Sequence, residues 1–207
     1  MKKLGFVLFS MVAIALICSG SALAQNVGDN SVYFVAYYAN NVSAAPDATV
    51  RVINNDGSAG AFGGGDLYAG FYVFDDSEEL ITCCSCQVTP DGLLSESVKT
   101  VTKADRIAPP TRGVIKMISS TNGFFPQRQT AEPAPEVTAP GLRGWATHIQ
   151  SAANKNPNGP APYSQTETMF AHSNLATGEQ SLLELLCWVD ALLGGAACPC
   201  TPEDFDF

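Results

Sequence analysis

The chain has 207 residues, a formal net charge of −9 at pH 7 and seven cysteines. This length suits a single domain with one hydrophobic core. With 20 acidic side chains against 11 basic ones, the composition argues against a protein that binds nucleic acid through its phosphates.

Residues 1–24 have the three-part pattern of a secretory signal. A short basic start precedes an apolar run, and Ala22 and Ala24 form a small-residue cleavage site. We expect cleavage before Gln25 and export to the periplasm or the extracellular space, which argues against a cytosolic enzyme. An uncleaved anchor and lipidation at Cys18 are the alternatives, but the apolar run is short for a span and the residue before the cysteine is not small. No other stretch is apolar enough to cross a membrane, so no transmembrane segment is expected after cleavage.

The mature chain is predicted to be mainly β. Seven segments are rich in β-branched and aromatic residues or alternate apolar with polar side chains, and turn-forming residues separate them. They are 31–38, 49–53, 67–75, 80–84, 93–101, 113–118 and 142–150. Because no helical pattern lies between them, the spacing favours an antiparallel β-sandwich of about seven strands. The proline-rich stretches 125–140 and 154–162 are expected to be surface loops.

One helix is predicted near the C-terminus, over residues 178–193. Thr177 and Gln180 have the spacing of a capping box, and Gly194 and Gly195 end the pattern. Apolar side chains recur every three or four residues and define one face of this helix. They are Leu182, Leu185, Leu186, Val189, Leu192 and Leu193, and Leu183 and Trp188 widen this face. We therefore expect the helix to be largely buried and to pack on the sandwich through that face.

Removal of the signal leaves six of the seven cysteines in the exported chain. They are Cys83, Cys84, Cys86, Cys187, Cys198 and Cys200. An even set of thiols in an oxidising compartment predicts three disulfides. Bridges between the first three and the last three would tie the helix and the tail to the sheet, and the pairing itself stays open. Residues 25–207 are thus expected to form one disulfide-stabilised domain.

The same cysteines allow two other interpretations. Cys83-x-x-Cys86 together with Cys198-x-Cys200 could supply four thiolates to a zinc ion, and Cys-x-x-Cys spacing also occurs in redox sites. The spacing of the second pair is shorter than in common zinc knuckles. No thioredoxin-like βαβ pattern surrounds the first pair.

No catalytic constellation, metal site or cofactor site is predicted from the remaining residues. His148 and His172 are the only histidines, and a metal site built on them would need both and a carboxylate. The acidic run 75–79 is interpreted as a solvated strand end, since its spacing does not match a calcium loop. The glycine run 63–66 is interpreted as a flexible turn, since it lacks the Gly-Lys-Ser/Thr of a phosphate loop.

A combination of motifs is spread along the chain. It consists of residues 72–75, Cys83-Cys84-Ser85-Cys86, 91–95, 112–116, 142–148 and the helix with Cys187. This combination resembles a poorly characterised family of exported bacterial proteins that shares a Cys-Cys-Ser-Cys core motif and a C-terminal Cys-bearing helix. The resemblance implies export and a common scaffold, and it implies no activity.

We therefore expect a secreted, non-catalytic structural or binding protein of the cell surface, envelope or extracellular space. Tyr33, Tyr37 or Tyr38, where exposed, could form a binding face, and buried strand aromatics are the alternative. Self-assembly by strand addition at the first strand is a subsidiary hypothesis. The competing functions are a metal-binding or redox protein that uses the cysteine cluster, and a hydrolase that uses His148 or His172.

Overall fold

The computed structural model describes residues 30–40, 45–55, 65–90, 92–98, 110–124, 134–152, 162–176, 178–193 and 200. The predicted signal, residues 154–161 of the second predicted loop, Thr177 and Cys198 lie outside these ranges. The described elements are β1 (Tyr33–Asn40), β2 (Thr49–Asn54), β3 (Leu67–Asp75), β4 (Leu80–Val88), β5 (Leu93–Ser97), β6 (Arg112–Ser120), β7 (Leu142–Ser151), β8 (Tyr163–Met169), β9 (Ala171–His172) and α1 (Glu179–Leu192). A mainly β chain with a C-terminal helix is confirmed, and each of the seven predicted strands is present.

The strands form one mixed sheet that curls until it nearly closes. Their order is β4-β3-β6-β1-β7-β2-β5, with β8 paired to β7 and β9 paired to β1. The end strands β4 and β5 are consecutive in the chain, and the Gly92 N–H donates to the Thr89 carbonyl in the turn between them. Asn54 of β2 also donates a 3.0 Å hydrogen bond to the Val88 carbonyl of β4. The two edges of the sheet therefore meet.

The hydrophobic core lies on the inner side of this curled sheet. Side chains from β1 to β7 alternate between the two sides, as the pleat requires. The largest buried members of the inner cluster are Phe34, Tyr38, Phe71, Ile115, Met117, Leu142, Ile149 and Phe170. One face of each strand therefore fills the interior and leaves the other face for the helix or for solvent.

A smaller apolar cluster lies on the outer side of the sheet, beneath α1. It joins strand residues to two residues of the helix, Leu183 and Cys187. The buried members are Tyr33, Tyr72, Cys83, Ile118, Phe124, Leu183 and Cys187. The helix is thus attached to the outer surface of β1, β3, β4 and β6.

The prediction of an antiparallel sandwich is corrected by this topology. One sheet curls round a single interior, and no second sheet faces it among the described residues. The sheet is also mixed, because β1 and β7 run parallel where Ala39 pairs with His148 and Asn40 with Ile149. Such a parallel contact joins segments more than 100 positions apart, and local hydrophobic alternation carries no information about it.

The strands β8 and β9 were not predicted. Every residue of β8 is exposed, so the segment lacks the apolar alternation that identifies a half-buried strand. It is held by its antiparallel pairing with β7 from Trp145↔Met169 to Ser151↔Tyr163. β9 has only two residues, and no sequence pattern can identify a strand of that length.

Candidate functional site

Two disulfides anchor the C-terminal part of the chain to β4. Cys83 is bonded to Cys187 of α1 across 104 positions, and Cys86 is bonded to Cys200 across 114 positions. Cys84 is disulfide-bonded as well, to a residue outside the described part. The expected tie between the sheet, the helix and the tail is confirmed by the first two bridges.

Disulfide bonding changes what the cysteine cluster can do. The Sγ atoms of Cys84, Cys86 and Cys200 lie within 4.8 Å of one another. All three are oxidised, and a disulfide sulfur lacks the thiolate charge that zinc requires. Cys83 belongs to the outer cluster with Cys187, so the structure separates it from the other proposed ligands. The described cysteines therefore offer no thiolate site in this oxidation state.

The orientation of α1 differs from the prediction at most of the predicted apolar positions. Its buried residues are Leu183, Glu184 and Cys187, so Leu183 is buried as expected, and Trp188 is half-buried. The remaining predicted core positions, Leu182, Leu185, Leu186, Val189, Leu192 and Leu193, point to solvent instead. The disulfide at Cys187 explains this orientation, because it fixes which side of the helix meets the sheet. Gly178 precedes the helix in a left-handed conformation (φ 85°) without a side-chain cap, and Thr177 of the predicted capping box lies outside the described residues.

This outward face forms a continuous apolar stripe, which we call the leucine stripe. Its side chains are between 37 and 84% exposed. The members are Leu182, Leu185, Leu186, Val189, Leu192 and Leu193. Apart from Ser181, every exposed residue of α1 belongs to the stripe. Soluble helices normally present polar residues to water, so a stripe of this kind is typical of an interaction surface.

A groove of about 770 Å³ lies beside the N-terminal half of the stripe. Phe74 and Val114 of the sheet line one side, and Leu182 and Leu186 line the other. Lys116 lies in its wall, with its Nζ 5.4 Å from the Phe74 ring centroid. The groove therefore extends the apolar surface from the helix onto the sheet.

The first turn of α1 is fixed by a polar contact with the sheet. The carboxylate of Glu179 accepts a 2.7 Å bond from Lys116 Nζ and a 2.6 Å bond from the Tyr33 hydroxyl. Burial acts to raise the pKa of Glu179, but the hydrogen bonds from Lys116 and Tyr33 together with the positive charge of Lys116 and a backbone hydrogen bond outweigh it, and the pKa is lowered. The side chain thus stays ionised at neutral pH and holds the start of the helix against β1 and β6.

Two buried acidic residues lie between the sheet and the helix. Glu136 belongs to the irregular segment before β7, and its Oε2 accepts a 3.4 Å hydrogen bond from the Tyr72 hydroxyl. Its backbone N–H donates to Oε1 of Glu184 at 2.9 Å, and Gln180 donates to the same carboxylate at 2.8 Å. Burial, and then the neighbouring Glu184, raise the pKa of Glu136 to about 8, so it is largely protonated at neutral pH. Sequence analysis missed this pair, because Glu136 lies in a predicted surface loop.

The two histidines occupy separate places on the sheet. His148 is buried; its Nε2 is 2.6 Å from Thr168 Oγ1 and its ring stacks on Tyr37 with centroids 3.8 Å apart. Burial lowers its pKa. His172 pairs with Phe34 on β1, whereas His148 pairs with Ala39. Five residues along a strand are roughly 16 Å, so the histidines do not share one site.

The other sequence-predicted positions have structural roles. Asp75 ends β3 and accepts hydrogen bonds from the backbone N–H groups of Ser77 and Glu79, at 2.8 and 3.0 Å. Asp76 forms an exposed ion pair with Arg112. The run 75–79 is therefore a strand end, as expected. Of the glycine run only the last two residues are described, and Asp66 there accepts a hydrogen bond from Gln87.

The tyrosines of β1 do not form a shared binding face. Tyr33 and Tyr38 are buried, and Tyr37 is 47% exposed. β1 pairs with β6 along one side and with β9 and β7 near the two ends of its other side. It is thus a central strand, and the hypothesis of self-assembly by addition at β1 is wrong because an open edge is required.

Comparison with known proteins finds no matching family model, no matching curated protein and no matching solved structure. Within the described ranges, no helix is both long and apolar enough to cross a membrane.

Proposed function

We propose that this chain is an exported, non-catalytic binding protein whose contact surface is the leucine stripe of α1. The observation that carries the proposal is that the solvent side of the helix is more apolar than the side that packs on the sheet. Contact between the stripe and water is unfavourable, and the free energy falls when a partner covers the stripe.

The attachment of α1 supports a binding role. The Cys83–Cys187 bridge and the hydrogen bonds of Glu179 and Glu184 fix both the position and the rotation of the helix. A surface that is already ordered loses little conformational entropy on association. The buried carboxyl groups are used in this attachment, which supports a structural role for them.

The disulfides support export. Bridges of this kind persist in oxidising compartments and are rare in the cytosol. They agree with the signal predicted at 1–24 and with a periplasmic or extracellular location at the surface or envelope. The resemblance to exported bacterial proteins points to the same compartment.

Photo-crosslinking in the exporting cell tests this proposal. A photo-reactive amino acid is placed at Val189 in the stripe or, as a control, at Thr166 on the exposed strand β8. We expect covalent adducts from position 189 and far fewer from position 166. No adduct at 189, or equal adducts at both positions, would contradict a binding role for the stripe.

A redox or metal-binding role for the cysteine cluster is a second candidate. The Sγ atoms of Cys84 and Cys86 are 3.9 Å apart although each belongs to a different bridge. Reduction would place three thiols close together, and thiolates favour zinc and copper(I). Mass spectrometry of the protein taken from its native compartment measures the free thiols. Fully oxidised cysteines there would exclude a thiolate metal site, and free thiols at Cys84 and Cys86 would favour it.

A further inference from the structure

We infer that the occupant of the leucine stripe is a second copy of this chain, packed antiparallel through α1 about a two-fold axis at the level of Cys187. This inference rests on the proposed function, because it assigns a partner to the same surface. The reasons are the spacing of the residues in the stripe, the dipole of the helix and the exposed area of the stripe.

The spacing of the stripe is self-complementary. Leu182, Leu185, Val189 and Leu192 follow the alternating steps of three and four that make the seam of a helix pair. Each lies as far from Cys187 as another member on the opposite side. An antiparallel second copy therefore places Leu182 against Leu192 and Leu185 against Val189, and each contact occurs twice. This reciprocity is the property of a two-fold interface.

The helix dipoles favour the antiparallel arrangement. Glu179 does not contribute to this preference, because its carboxylate is paired with Lys116 at 2.7 Å and faces the sheet. Antiparallel packing opposes the two helix dipoles, which is the favourable orientation.

The area indicates a reversible dimer. The six exposed side chains amount to an apolar patch on the order of 500 Å², within the range of the largest and often functional patches of monomeric proteins. Two such patches bury about 1,000 Å² in total, near the lower limit for specific interfaces. The net charge of −9 on each copy adds repulsion that salt screens. Association is therefore expected to strengthen as the salt concentration rises, and a basic partner would show the opposite dependence.

Sedimentation velocity on the mature, oxidised protein tests the inference. We expect a shift from monomer to dimer between about 1 and about 100 µM, the range suited to an interface of this size. Val189→Glu should weaken the dimer about tenfold or more, because it buries a charge in the seam. Met169→Glu, at a position on β8 that is 53% exposed, is the matched control and should not change the association.

Mixing two variants tests the register and does not depend on one substitution alone. Leu185→Lys and Val189→Glu should each be monomeric, and their mixture should form a heterodimer because position 185 of one copy faces position 189 of the other. Both variants should retain the unfolding transition of the parent protein. A folded pair that fails to associate on mixing would overturn the antiparallel register.

A parent protein that stays monomeric at every concentration and salt level overturns the dimer. The identity of the protein crosslinked to position 189 in cells then distinguishes the binding role of the stripe from the proposal that a second copy occupies it. An adduct with a different protein would retain the binding function and reject the second copy as its partner. Absence of any adduct would reject both.

Discussion

The backbone N–H of Glu136 donates a 2.9 Å hydrogen bond to the carboxylate of Glu184, and both side chains are buried. Gln180 reinforces this contact, because its Nε2 also donates to the Glu136 carbonyl at 2.7 Å. The segment before β7 and the helix are therefore joined through one polar site on the outside of the sheet. Burial of this site, and then the neighbouring Glu184 carboxyl group, raise the pKa of Glu136.

Glu136 should make the stability of the protein depend on pH. The pKa of Glu136 has its usual value of 4.5 in the unfolded chain and rises to about 8 in the folded chain. Below pH 4.5 both states hold the proton; between 4.5 and 8 only the folded state holds it, so the free energy of unfolding falls as the pH rises. The contribution is at most about 1.4 kcal/mol per pH unit and is fully lost above the folded pKa.

Glu136→Gln is expected to remove most of this pH dependence, since an amide has similar shape and does not ionise. Urea unfolding between pH 4.5 and 8 measures the slope for each variant. Glu78→Gln, at an exposed position, is the control and should keep the parent slope. An unchanged slope in Glu136→Gln would show that the carboxyl group is ionised in the folded chain.

Cys198 is the predicted partner of Cys84. Two bridges use Cys83, Cys86, Cys187 and Cys200, and the remaining cysteine, Cys18, lies in the predicted signal. Peptide mapping of the mature protein without reduction should therefore recover a peptide pair that joins positions 84 and 198. Recovery of Cys84 as a free thiol would contradict this assignment.

Removal of the Cys83–Cys187 bridge should act mainly on the helix. The double variant Cys83→Ser/Cys187→Ser is expected to lose about 2–4 kcal/mol of unfolding free energy, because the bridge closes a long loop. Amide hydrogen exchange should then accelerate in α1 more than in the strands. The matched variant Cys86→Ser/Cys200→Ser should lose comparable stability while α1 remains protected. Equal protection of α1 in both would mean that the side-chain contacts alone hold the helix.

Gly70 should not tolerate a side chain while Glu136 is in place. A Cβ atom at this position would overlap the buried carboxylate of Glu136, with Oε1 as its nearest neighbour. Gly70→Ala is therefore expected to cost about 1–3 kcal/mol. Gly65→Ala is the control, because a Cβ atom at that position would have no neighbouring atom within 4 Å. In a protein that already carries Glu136→Ala, Gly70→Ala should lower the free energy of unfolding by less. If the effects of the two substitutions on the free energy of unfolding simply add, this clash is ruled out.

Sequence patterns predicted those parts of the fold that depend on local alternation. β3 has the predicted bounds, because Leu67–Asp75 is apolar and sits between turns. The disulfide tie followed from two cysteine groups far apart in the chain. Closure of the sheet was not predictable in this way, since it depends on which distant strands pair.

The candidate binding surface depends on a choice that periodicity does not make. Heptad-like spacing shows that α1 has an apolar face, but it does not say whether that face meets the core or the solvent. The register of Cys83 opposite Cys187 decides this, and it places Glu184 inside. A buried glutamate on a helix runs against composition rules, so a sequence alone assigns it to the surface.

Both described bridges start on β4 and end beyond most of the chain, which has a consequence for proteolysis. Any single backbone cleavage between Cys86 and Cys187 leaves two fragments that remain covalently joined at both bridges. The hydrogen bonds between strands on either side of the cut also persist, because they do not depend on the peptide bond that is cleaved. The disulfide-bonded chain can thus be nicked in its connecting segments and still present α1 in its place, with the separate fragments released only after reduction.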